Sequence, residues 1–190
     1  SNGRYFLGHA TLGLLSFNSG DFDTYSEISP EGPLFNRIFS LESSPSDLWI
    51  AFGEYDQFFN PYPLNNRGLS RLTAEGWINI DVQELNDARE LSDVTIDPNN
   101  PNRVFVSSYF DGLLELESNE LIQQYDSSNS IIEGVPSNIN DNRIGASVFD
   151  SQGNLYFTNS IAENQLKRLN ANGNFENIDV SQGFLNPTQT

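Results

Sequence analysis

One segment of the chain concentrates side chains that are suited to binding a ligand. Between Phe52 and Arg67, aromatic residues are interspersed with amide, proline and acidic residues. Aromatic rings stack on the apolar faces of sugars and peptides, while amide and guanidinium groups hydrogen-bond to their polar edges. The residues of this segment that we predict to bind a ligand are Tyr55, Phe58, Phe59, Tyr62 and Arg67. The alternative is that these rings cover a neighbouring part of the fold or a second domain.

Two arginines, Arg37 and Arg143, occupy the same local pattern, Asn-Arg-Ile, directly before an apolar stretch. The chain has 26 acidic and only 9 basic residues, so a repeated arginine position stands out. The guanidinium fork binds carboxylate and phosphate groups in a bidentate manner. We therefore predict that both arginines contribute to binding an anionic ligand. Ion pairs with nearby acidic residues are the alternative.

The other residue types argue against most catalytic chemistry. The chain has no cysteine and a single histidine, His9, which excludes thiol catalysis and zinc sites built from cysteine and histidine. It has no Gly-x-Ser-x-Gly motif to present a nucleophilic serine. No spacing among the 26 acidic residues singles out the carboxylate pair that a glycosidase requires. We predict no catalytic residue, no metal site and no cofactor.

Two oxygen-rich stretches, residues 97–102 and 140–142, are the candidates for calcium binding. Neither matches the spacing of a twelve-residue calcium loop, and two prolines stiffen the first of them. We predict that both stretches are ordinary turns.

The net charge of −17 restricts the partners of the chain. Such a chain repels phosphate backbones and anionic lipid, so we expect no binding to nucleic acid. No apolar run approaches the roughly 20 residues that a membrane-spanning helix needs, and no signal peptide is recognised. Because the sequence contains no methionine, we expect it to be a processed or excised piece of a longer protein, whose other blades or domains are its partners.

A repeat organises the whole chain. Aromatic residues recur in apolar stretches about 44 to 56 residues apart, at Tyr5, Trp49, Phe105 and Tyr156. Leucines recur in the stretches that follow, at Leu14, Leu69, Leu113 and Leu166. Three of these leucines follow a glycine, which lets two backbones approach closely. A period of about 40 to 50 residues built from short strands is typical of β-propeller blades.

We predict an all-β fold, a β-propeller segment of about four four-stranded antiparallel blades. The units cover approximately residues 1–30, 36–82, 91–127 and 142–180 of a single domain, 1–190. The first unit supplies only three strands, so the chain forms a four-bladed ring or, as we expect, part of a larger propeller. Residues 83–91 have helix-forming side chains for at most one turn. The first strands of propeller blades line the central channel, which would place Arg37 and Arg143 at its mouth.

The units resemble the two-component regulator propeller repeat. The resemblance lies in the run Asp-Ser-Gln-Gly-Asn-Leu-Tyr-Phe at 150–157 and in Leu-Trp-Ile at 48–50 followed by Gly68 and Leu69. A second pattern looks more like the propellers of PorZ-type proteins of the type IX secretion system. It consists of Asp-Pro-Asn-Asn-Pro-Asn-Arg-Val-Phe-Val-Ser-Ser at 97–108 and Gly-Leu-Leu-Glu-Leu at 112–116. Together the two patterns cover nearly the whole chain.

The resemblance implies an exported protein of the periplasm or cell surface without enzymatic activity. PorZ-type proteins take part in attaching cargo to anionic lipopolysaccharide, so an anionic glycan or a secretion-system protein is the implied partner. The same repeat also forms periplasmic ligand-sensing domains of hybrid two-component histidine kinases, which is the alternative function. A propeller glycoside hydrolase or lyase is a third hypothesis and requires a carboxylate cluster at the channel mouth.

Overall fold

A computed structural model describes residues 3–10, 12–28, 31–58 and 66–180, apart from the side chain of Phe22. In these residues the regular structure consists of fifteen β-strands and one short 3-10 helix. The chain divides into two compact units, residues 1–32 and 33–190. The all-β prediction is confirmed.

The first unit is a three-stranded antiparallel sheet, sheet A, with the order β1-β2-β3. Its strands are Arg4–His9, Gly13–Asn18 and Asp21–Ile28. The sequence predicted three strands here, and the sheet confirms that prediction. Its repeat leucine, Leu14, is 40% exposed.

The second unit contains three four-stranded antiparallel sheets, each an up-and-down meander in chain order. Sheet B comprises β4 to β7, which are Ser40–Ser43, Leu48–Ala51, Leu69–Thr73 and Gly76–Ile80. Sheet C comprises β8 to β11, which are Leu91–Asp97, Asn100–Ser108, Leu113–Glu117 and Glu120–Tyr125. Sheet D comprises β12 to β15, which are Ile144–Phe149, Leu155–Asn159, Leu166–Leu169 and Phe175–Asn177.

The three sheets of the second unit pack face to face, and the alternation of side chains along each strand explains how. On β9, Val104 and Val106 enter a core shared with sheet B, whereas Phe105 enters a core shared with sheet D. On β10, Leu114 faces the first core and Leu113 the second. Because successive side chains point to opposite faces, a sheet buried on both faces needs an almost continuous apolar run. This explains why sheet C has the most apolar strands of the repeat.

The glycine of the Gly-Leu pair is a point of close approach between two backbones. A Cβ atom on Gly112 would lie 2.0 Å from the carbonyl oxygen of Tyr125 on the neighbouring strand. A Cβ atom on Gly68 would lie 1.8 Å from that of Ile80. The leucine that follows Gly112 is fully buried between sheets C and D. The structural role predicted for these pairs is confirmed in the second unit.

The apolar stretch that follows Arg37 in the sequence differs in extent from the first strand of sheet B. It covers residues 38–41, whereas the strand runs from Ser40 to Ser43. The Phe39 N–H still donates to the Ala51 carbonyl, at 3.0 Å, but the Phe39 ring packs edge-on against Tyr55. The apolar stretch therefore begins before the strand, because the Phe39 ring packs among the loops at one end of the sheet.

Two other local predictions are confirmed with shorter elements than expected. The helical turn of the 83–91 segment is a single 3-10 turn, Val82–Leu85, and Asn86 and Asp87 then take positive φ values of 55°. The 97–102 turn is reduced to two residues because β9 already begins at Asn100. The Asp97 carboxylate accepts hydrogen bonds from the Asn99 N–H and from Arg103, so its oxygens are used within the turn and strand.

Candidate functional site

The meander places two sets of loops at opposite ends of each sheet of the second unit. The segments before a first strand, between second and third strands, and after a fourth strand share one end, which we call the upper face. Its described parts are residues 33–39, 52–58, 66–68, 81–90, 109–112, 126–143 and 160–165. The turns at the other end form the lower face. Its members are residues 44–47, 74–75, 98–99, 118–119, 150–154 and 170–174.

Backbone hydrogen bonds join the upper-face loops of neighbouring sheets. The Gly53 N–H donates to the Leu91 carbonyl at 2.8 Å, which ties the 52–58 segment to sheet C. The Asn142 N–H donates to the Phe110 carbonyl at 2.6 Å, and the Gly112 N–H donates back to the Asn142 carbonyl at 2.9 Å. These loops are therefore held in one surface by the sheets beneath them.

An aromatic cluster of Phe39, Tyr55, Tyr109 and Phe110 lies on this face and meets Arg143. The ring centroids of Phe39 and Tyr55 are 4.9 Å apart, those of Tyr55 and Tyr109 are 5.9 Å apart, and those of Tyr109 and Phe110 are 5.5 Å apart. The Arg143 guanidinium lies 5.0 Å from the Tyr109 centroid and 5.7 Å from that of Phe110. Tyr109 thus brings together two predicted site residues, Tyr55 and Arg143, that come from different sheets.

Arg143 has an unusual set of partners for an arginine in so acidic a chain. Among the described residues it has no carboxylate within ion-pair distance, and the one hydrogen bond of its side chain is a long contact of 3.5 Å to the Tyr109 hydroxyl. Its Nε atom is buried and has no hydrogen-bond partner there. The face of the guanidinium packs against aromatic rings, while most of its N–H groups donate no hydrogen bond to the described residues. A guanidinium in this state can bind an anion.

The other predicted cations of this face are already engaged. Arg37 donates to Glu54 at 2.9 Å, so the ion-pair alternative is correct for this arginine, although its side chain remains 73% exposed. Arg67 donates to the Phe52 carbonyl at 2.8 Å and lies 5.6 Å from the centroid of Phe35. Arg67 therefore connects the two ends of the segment between Phe52 and Arg67.

The remaining predicted residues divide into one exposed ring and two of which the structure says nothing. Phe58 is 70% exposed, and its N–H donates to Asp56 at 2.8 Å. Phe59 and Tyr62 lie outside the described residues. The prediction that these three rings bind a ligand therefore stays a prediction.

Sequence reasoning missed the short 109–111 loop, which is central to the upper face. Asp111 accepts hydrogen bonds from the Arg89 side chain at 2.6 and 3.0 Å and from its backbone N–H at 2.7 Å. The Arg89 guanidinium also lies 4.8 Å from the Phe110 centroid. Tyr-Phe-Asp directly after an apolar strand was the available signal, because loops at strand ends often carry functional residues. In the structure the rings of Tyr109 and Phe110 are buried.

A polar network on the first strands joins all three sheets of the second unit and was also missed. Asp93 on β8 accepts a hydrogen bond from the Ser147 N–H of β12 at 3.1 Å and one from the Ser40 hydroxyl of β4 at 3.4 Å. Burial raises the pKa of Asp93, although these hydrogen bonds oppose the shift. The pKa of Glu42 on β4 is raised by burial and then by the negative charge of Asp93. Folding therefore disfavours the charged forms of Asp93 and Glu42, the two acidic residues of this network.

We expect Asp93→Asn to raise the melting temperature at pH 7. A carboxyl whose pKa is raised by folding contributes stability that is complete below its unfolded pKa of about 4 and is lost as the pH rises through the folded value. Asparagine can still accept the hydrogen bond from Ser147 but carries no charge. Thermal unfolding followed by circular dichroism between pH 4 and 8 should show an advantage at pH 7 that shrinks towards pH 4.

Asp150→Asn is the matched control with the opposite sign. Hydrogen bonds from the Asn154 side chain, and then from backbone N–H groups, lower the pKa of Asp150 in its lower-face turn. Its substitution should lower the melting temperature at pH 7, and the loss should fade as the pH drops below about 4. If the two variants shift the melting temperature in the same direction at pH 7, the role assigned to Asp93 is wrong.

The only lysine of the chain, Lys167, is fully buried beneath the upper face. Its ammonium group donates to Glu133 at 2.8 Å and to the Asn177 side chain at 3.0 Å. Glu133 also accepts from the backbone N–H groups of Glu163 and Asn164. Burial alone would raise the pKa of Glu133, but the hydrogen bonds from Lys167 and from these amides lower it. The pair fixes the 160–165 loop to the 126–143 segment.

Within the described part of the chain, no group of three or more histidine, aspartate or glutamate side chains is placed to hold a metal ion. No helix in residues 3–10, 12–28, 31–58 or 66–180 is long and apolar enough to cross a membrane. His9 lies in sheet A, where its Nδ1 accepts a hydrogen bond from the Leu12 N–H at 3.2 Å.

Comparison with known proteins gives similarity in structure rather than in sequence. No protein-family model and no curated protein sequence matches the chain. PorZ of Porphyromonas gingivalis, an essential bacterial surface component of the type IX secretion system, superposes with a TM-score of 0.73 at 19% identity. The aligned region covers 94% of this chain and 24% of PorZ.

Two other solved structures show weaker similarity. The extracellular domain of a hybrid two-component system from B. thetaiotaomicron gives a TM-score of 0.46 at 17% identity, over 94% of this chain and 20% of that one. A GH74 enzyme from Niastella koreensis gives 0.48 at 17% identity, over 86% and 26% of the two chains. This chain thus spans about a quarter or less of the length of these proteins. The PorZ superposition and the sheet topology together show that the chain has the β-propeller fold, with each sheet of the second unit forming one blade.

Proposed function

We propose that this chain is a non-enzymatic binding module of an exported bacterial protein, a PorZ-like component of type IX secretion, and that its upper face binds an anionic ligand. An anionic glycan is the ligand class that best suits the face, because aromatic rings and a guanidinium group stand side by side there. The resemblance of the sequence to PorZ-type propellers and the PorZ superposition support the choice of system.

The observation that carries this proposal is the state of Arg143. Most of the cationic side chains have a carboxylate within 4.0 Å, namely Arg37, Arg71, Arg89, Arg103, Arg168 and Lys167. Within the described residues Arg4, Arg67 and Arg143 lack one, although acidic residues outnumber basic ones by 26 to 9. Of these three, Arg4 is in the first unit and Arg67 donates to the Phe52 carbonyl. A packed guanidinium kept apart from so many carboxylates retains its charge for a ligand from outside the chain.

The aromatic cluster gives the same site a surface for sugar rings. Tyr109 is buried, so the exposed part of the cluster consists of Phe39, which is 38% exposed, and the partly exposed Tyr55, with their ring centroids 4.9 Å apart. Tyr109 lies between Tyr55 and Arg143. Rings of this kind contact the apolar face of a pyranose, while the arginine pairs with a carboxylate, sulfate or phosphate substituent.

We expect Arg143→Ala to weaken binding of a negatively charged oligosaccharide at least tenfold. A hydrogen bond to a charged group contributes about 1.5–3 kcal/mol, and a tenfold change in affinity corresponds to about 1.4 kcal/mol. Isothermal titration calorimetry with oligogalacturonate and with phosphorylated core lipopolysaccharide oligosaccharide as probes measures the loss. The neutral methyl-esterified galacturonate oligomer should bind more weakly than the acid.

Arg37→Ala is the matched control, because this arginine lies on the same face but is already paired with Glu54 and largely exposed. Its substitution should change the affinity less than about twofold, as expected for an exposed ion pair. Tyr55→Ala should weaken binding without altering the preference for the acid over its ester. If neither charged probe binds, or if both arginine variants lose affinity equally, the site is not at Arg143. Release of shortened oligosaccharides would refute the non-enzymatic role.

A further inference from the structure

Two acidic residues lie beside Arg143 along the backbone, although neither forms an ion pair with it. Asp141 precedes Arg143 by two residues, and a β-bridge joins Asp111 to Asn142, the residue between them. The side chains of Asp111 and Asp141 are only 18% and 17% exposed. Carboxylates with so little access to water require a cation or hydrogen-bond donors. Arg143 could supply both, so its lack of a carboxylate partner needs a physical reason.

Both carboxylates are engaged by one other side chain, that of Arg89. Its Nη2 and Nε atoms donate to the two oxygens of Asp111, at 2.6 and 3.0 Å. The Arg89 backbone N–H donates to the same carboxylate at 2.7 Å. The Arg89 Nη2 atom also lies 3.9 Å from Asp141. Two parallel N–H···O bonds fix the orientation of a carboxylate as well as neutralising it, so Asp111 in particular is directed towards Arg89.

Arg89 and Arg143 pack on the same buried aromatic ring. The guanidinium of Arg89 lies 4.8 Å from the centroid of Phe110, and that of Arg143 lies 5.7 Å from it. The Arg143 guanidinium also lies 5.0 Å from the centroid of Tyr109. Because both guanidinium groups contact Phe110, the carboxylates bound by Arg89 are within reach of the long Arg143 side chain. The two arginines are therefore alternative partners for the same carboxylates.

We propose that Arg89 is a positioning residue of the upper face, which binds Asp111 and Asp141 and thereby keeps Arg143 unpaired. The inference rests on the anion-binding function proposed above, since it assigns how the free guanidinium of that site is maintained. Arg89 is not itself a ligand-binding group, because two of its three side-chain nitrogen atoms already donate to Asp111. Without Arg89, both carboxylates lose their cation, and Arg143 pairs with one of them instead of an anion.

Modification of Arg143 by phenylglyoxal tests this role without any ligand. The reagent forms its adduct with the terminal nitrogen atoms of a guanidinium group, and pairing with a carboxylate slows the reaction. In Arg89→Met, peptide mapping by mass spectrometry should show Arg143 reacting about threefold more slowly or less than in the unsubstituted chain, the effect of one modest ion pair.

Arg103→Met is the matched control for this experiment. Arg103 also lies 4.8 Å from an aromatic centroid, that of Phe105, pairs with two carboxylates and is 31% exposed. It differs in lying near the lower-face end of sheet C, where β9 begins. Its substitution removes an equivalent charge and should leave the rate of Arg143 modification unchanged.

Binding of oligogalacturonate, measured by isothermal titration calorimetry, separates positioning from direct contact. Arg89→Met should weaken binding about threefold or more, because Arg143 is then occupied. Adding Asp111→Asn and Asp141→Asn to this variant should restore both the affinity and the rate of Arg143 modification, because neither carboxylate is left to pair with Arg143. If binding stays weak in the triple variant, Arg89 contacts the anion itself and the proposal is wrong.

An unchanged rate of Arg143 modification in Arg89→Met also overturns the proposal. If that variant does not fold, Arg89→Lys takes its place, because lysine keeps the charge but lacks the planar fork. Arg143 should then react about twofold more slowly, and an unchanged rate has the same meaning. If the unsubstituted chain binds no anionic probe while Arg143 modification still slows in Arg89→Met, the role of Arg89 is supported and only the anion-binding function is refuted.

Discussion

Glu133→Ala is expected to destabilise the protein by about 3 kcal/mol, one of the largest effects of any single substitution at the surface of the second unit. The substitution leaves the ammonium group of Lys167 fully buried with only the Asn177 side chain as a polar partner. Removing one partner of a buried ion pair typically costs about 3–5 kcal/mol because the remaining charge stays desolvated. We place the effect at the lower end since Asn177 remains and Glu133 is itself 31% exposed.

Substitution of the other member of the pair, Lys167→Met, should lower the free energy of unfolding much less, by about 1 kcal/mol or below. Methionine fills the same apolar space, and the Glu133 carboxylate keeps its hydrogen bonds from Glu163 and Asn164. Thermal and urea unfolding of the single and double variants measures this asymmetry. For a domain of this size, 3 kcal/mol corresponds to about 6–12 °C in melting temperature. The double variant should be more stable than Glu133→Ala alone, and equal losses in the two single variants would contradict the assignment.

Gly112→Ala is expected to cost about 3 kcal/mol for a different reason. Gly112 has φ of +84°, where a Cβ atom is unfavourable by about 1–2 kcal/mol. The added Cβ would also lie 2.0 Å from the Tyr125 carbonyl oxygen, so β10 and β11 would have to separate at their upper end. Forcing an atom into a packed contact adds about 1–3 kcal/mol.

Gly173→Ala isolates the first of these two effects, the cost of the backbone conformation. Gly173 has the same φ of +84°, but a Cβ atom there meets nothing within 4 Å. Its substitution should cost only the backbone term, about 1 kcal/mol, and urea unfolding of both variants gives the difference. A difference near zero would mean that β11 moves away freely, and that the close approach at Gly112 is not a constraint of the fold.

The repeat could be predicted from the sequence because its determinants are local. The strand period of two placed Val104, Phe105 and Val106 alternately on two faces, and the observed cores contain them accordingly. The turn at 150–154 is local in the same sense, because aspartate, glycine and asparagine stand close together there in the sequence. There the Gly153 N–H donates to the Asp150 carbonyl at 3.2 Å, and Gly153 takes a φ of +81°. Such features depend on neighbours in the sequence, so composition and spacing suffice to predict them.

The candidate site was only partly predictable, because its members come from different sheets. Tyr55 and Arg143 were predicted separately, but Tyr109, which joins them, belongs to a loop of three residues that showed no length or charge signal. Likewise, the matching sequence patterns around Arg37 and Arg143 gave no indication that one would pair with Glu54 and the other would lack a carboxylate. Ion-pair partners depend on which loops meet after the sheets have stacked.

Lys167 shows most clearly what the sequence indicates and what only the tertiary structure determines. The alternation of β14 places Lys167 on the same face as the buried Leu169, whereas Leu166, the leucine of the repeat, is on the other face. With a leucine on each face, the sequence did not indicate that the lysine is buried. The partner Glu133 is 34 residues away in the chain, on a segment without regular strands. The sequence by itself determined the blades, their turns and the glycines between strands, because these follow from short-range sterics and side-chain alternation. Only the tertiary structure decided which charged side chains form ion pairs and which arginines lack a carboxylate within ion-pair distance among the described residues, because electrostatic pairing depends on distances between residues that are far apart in the sequence.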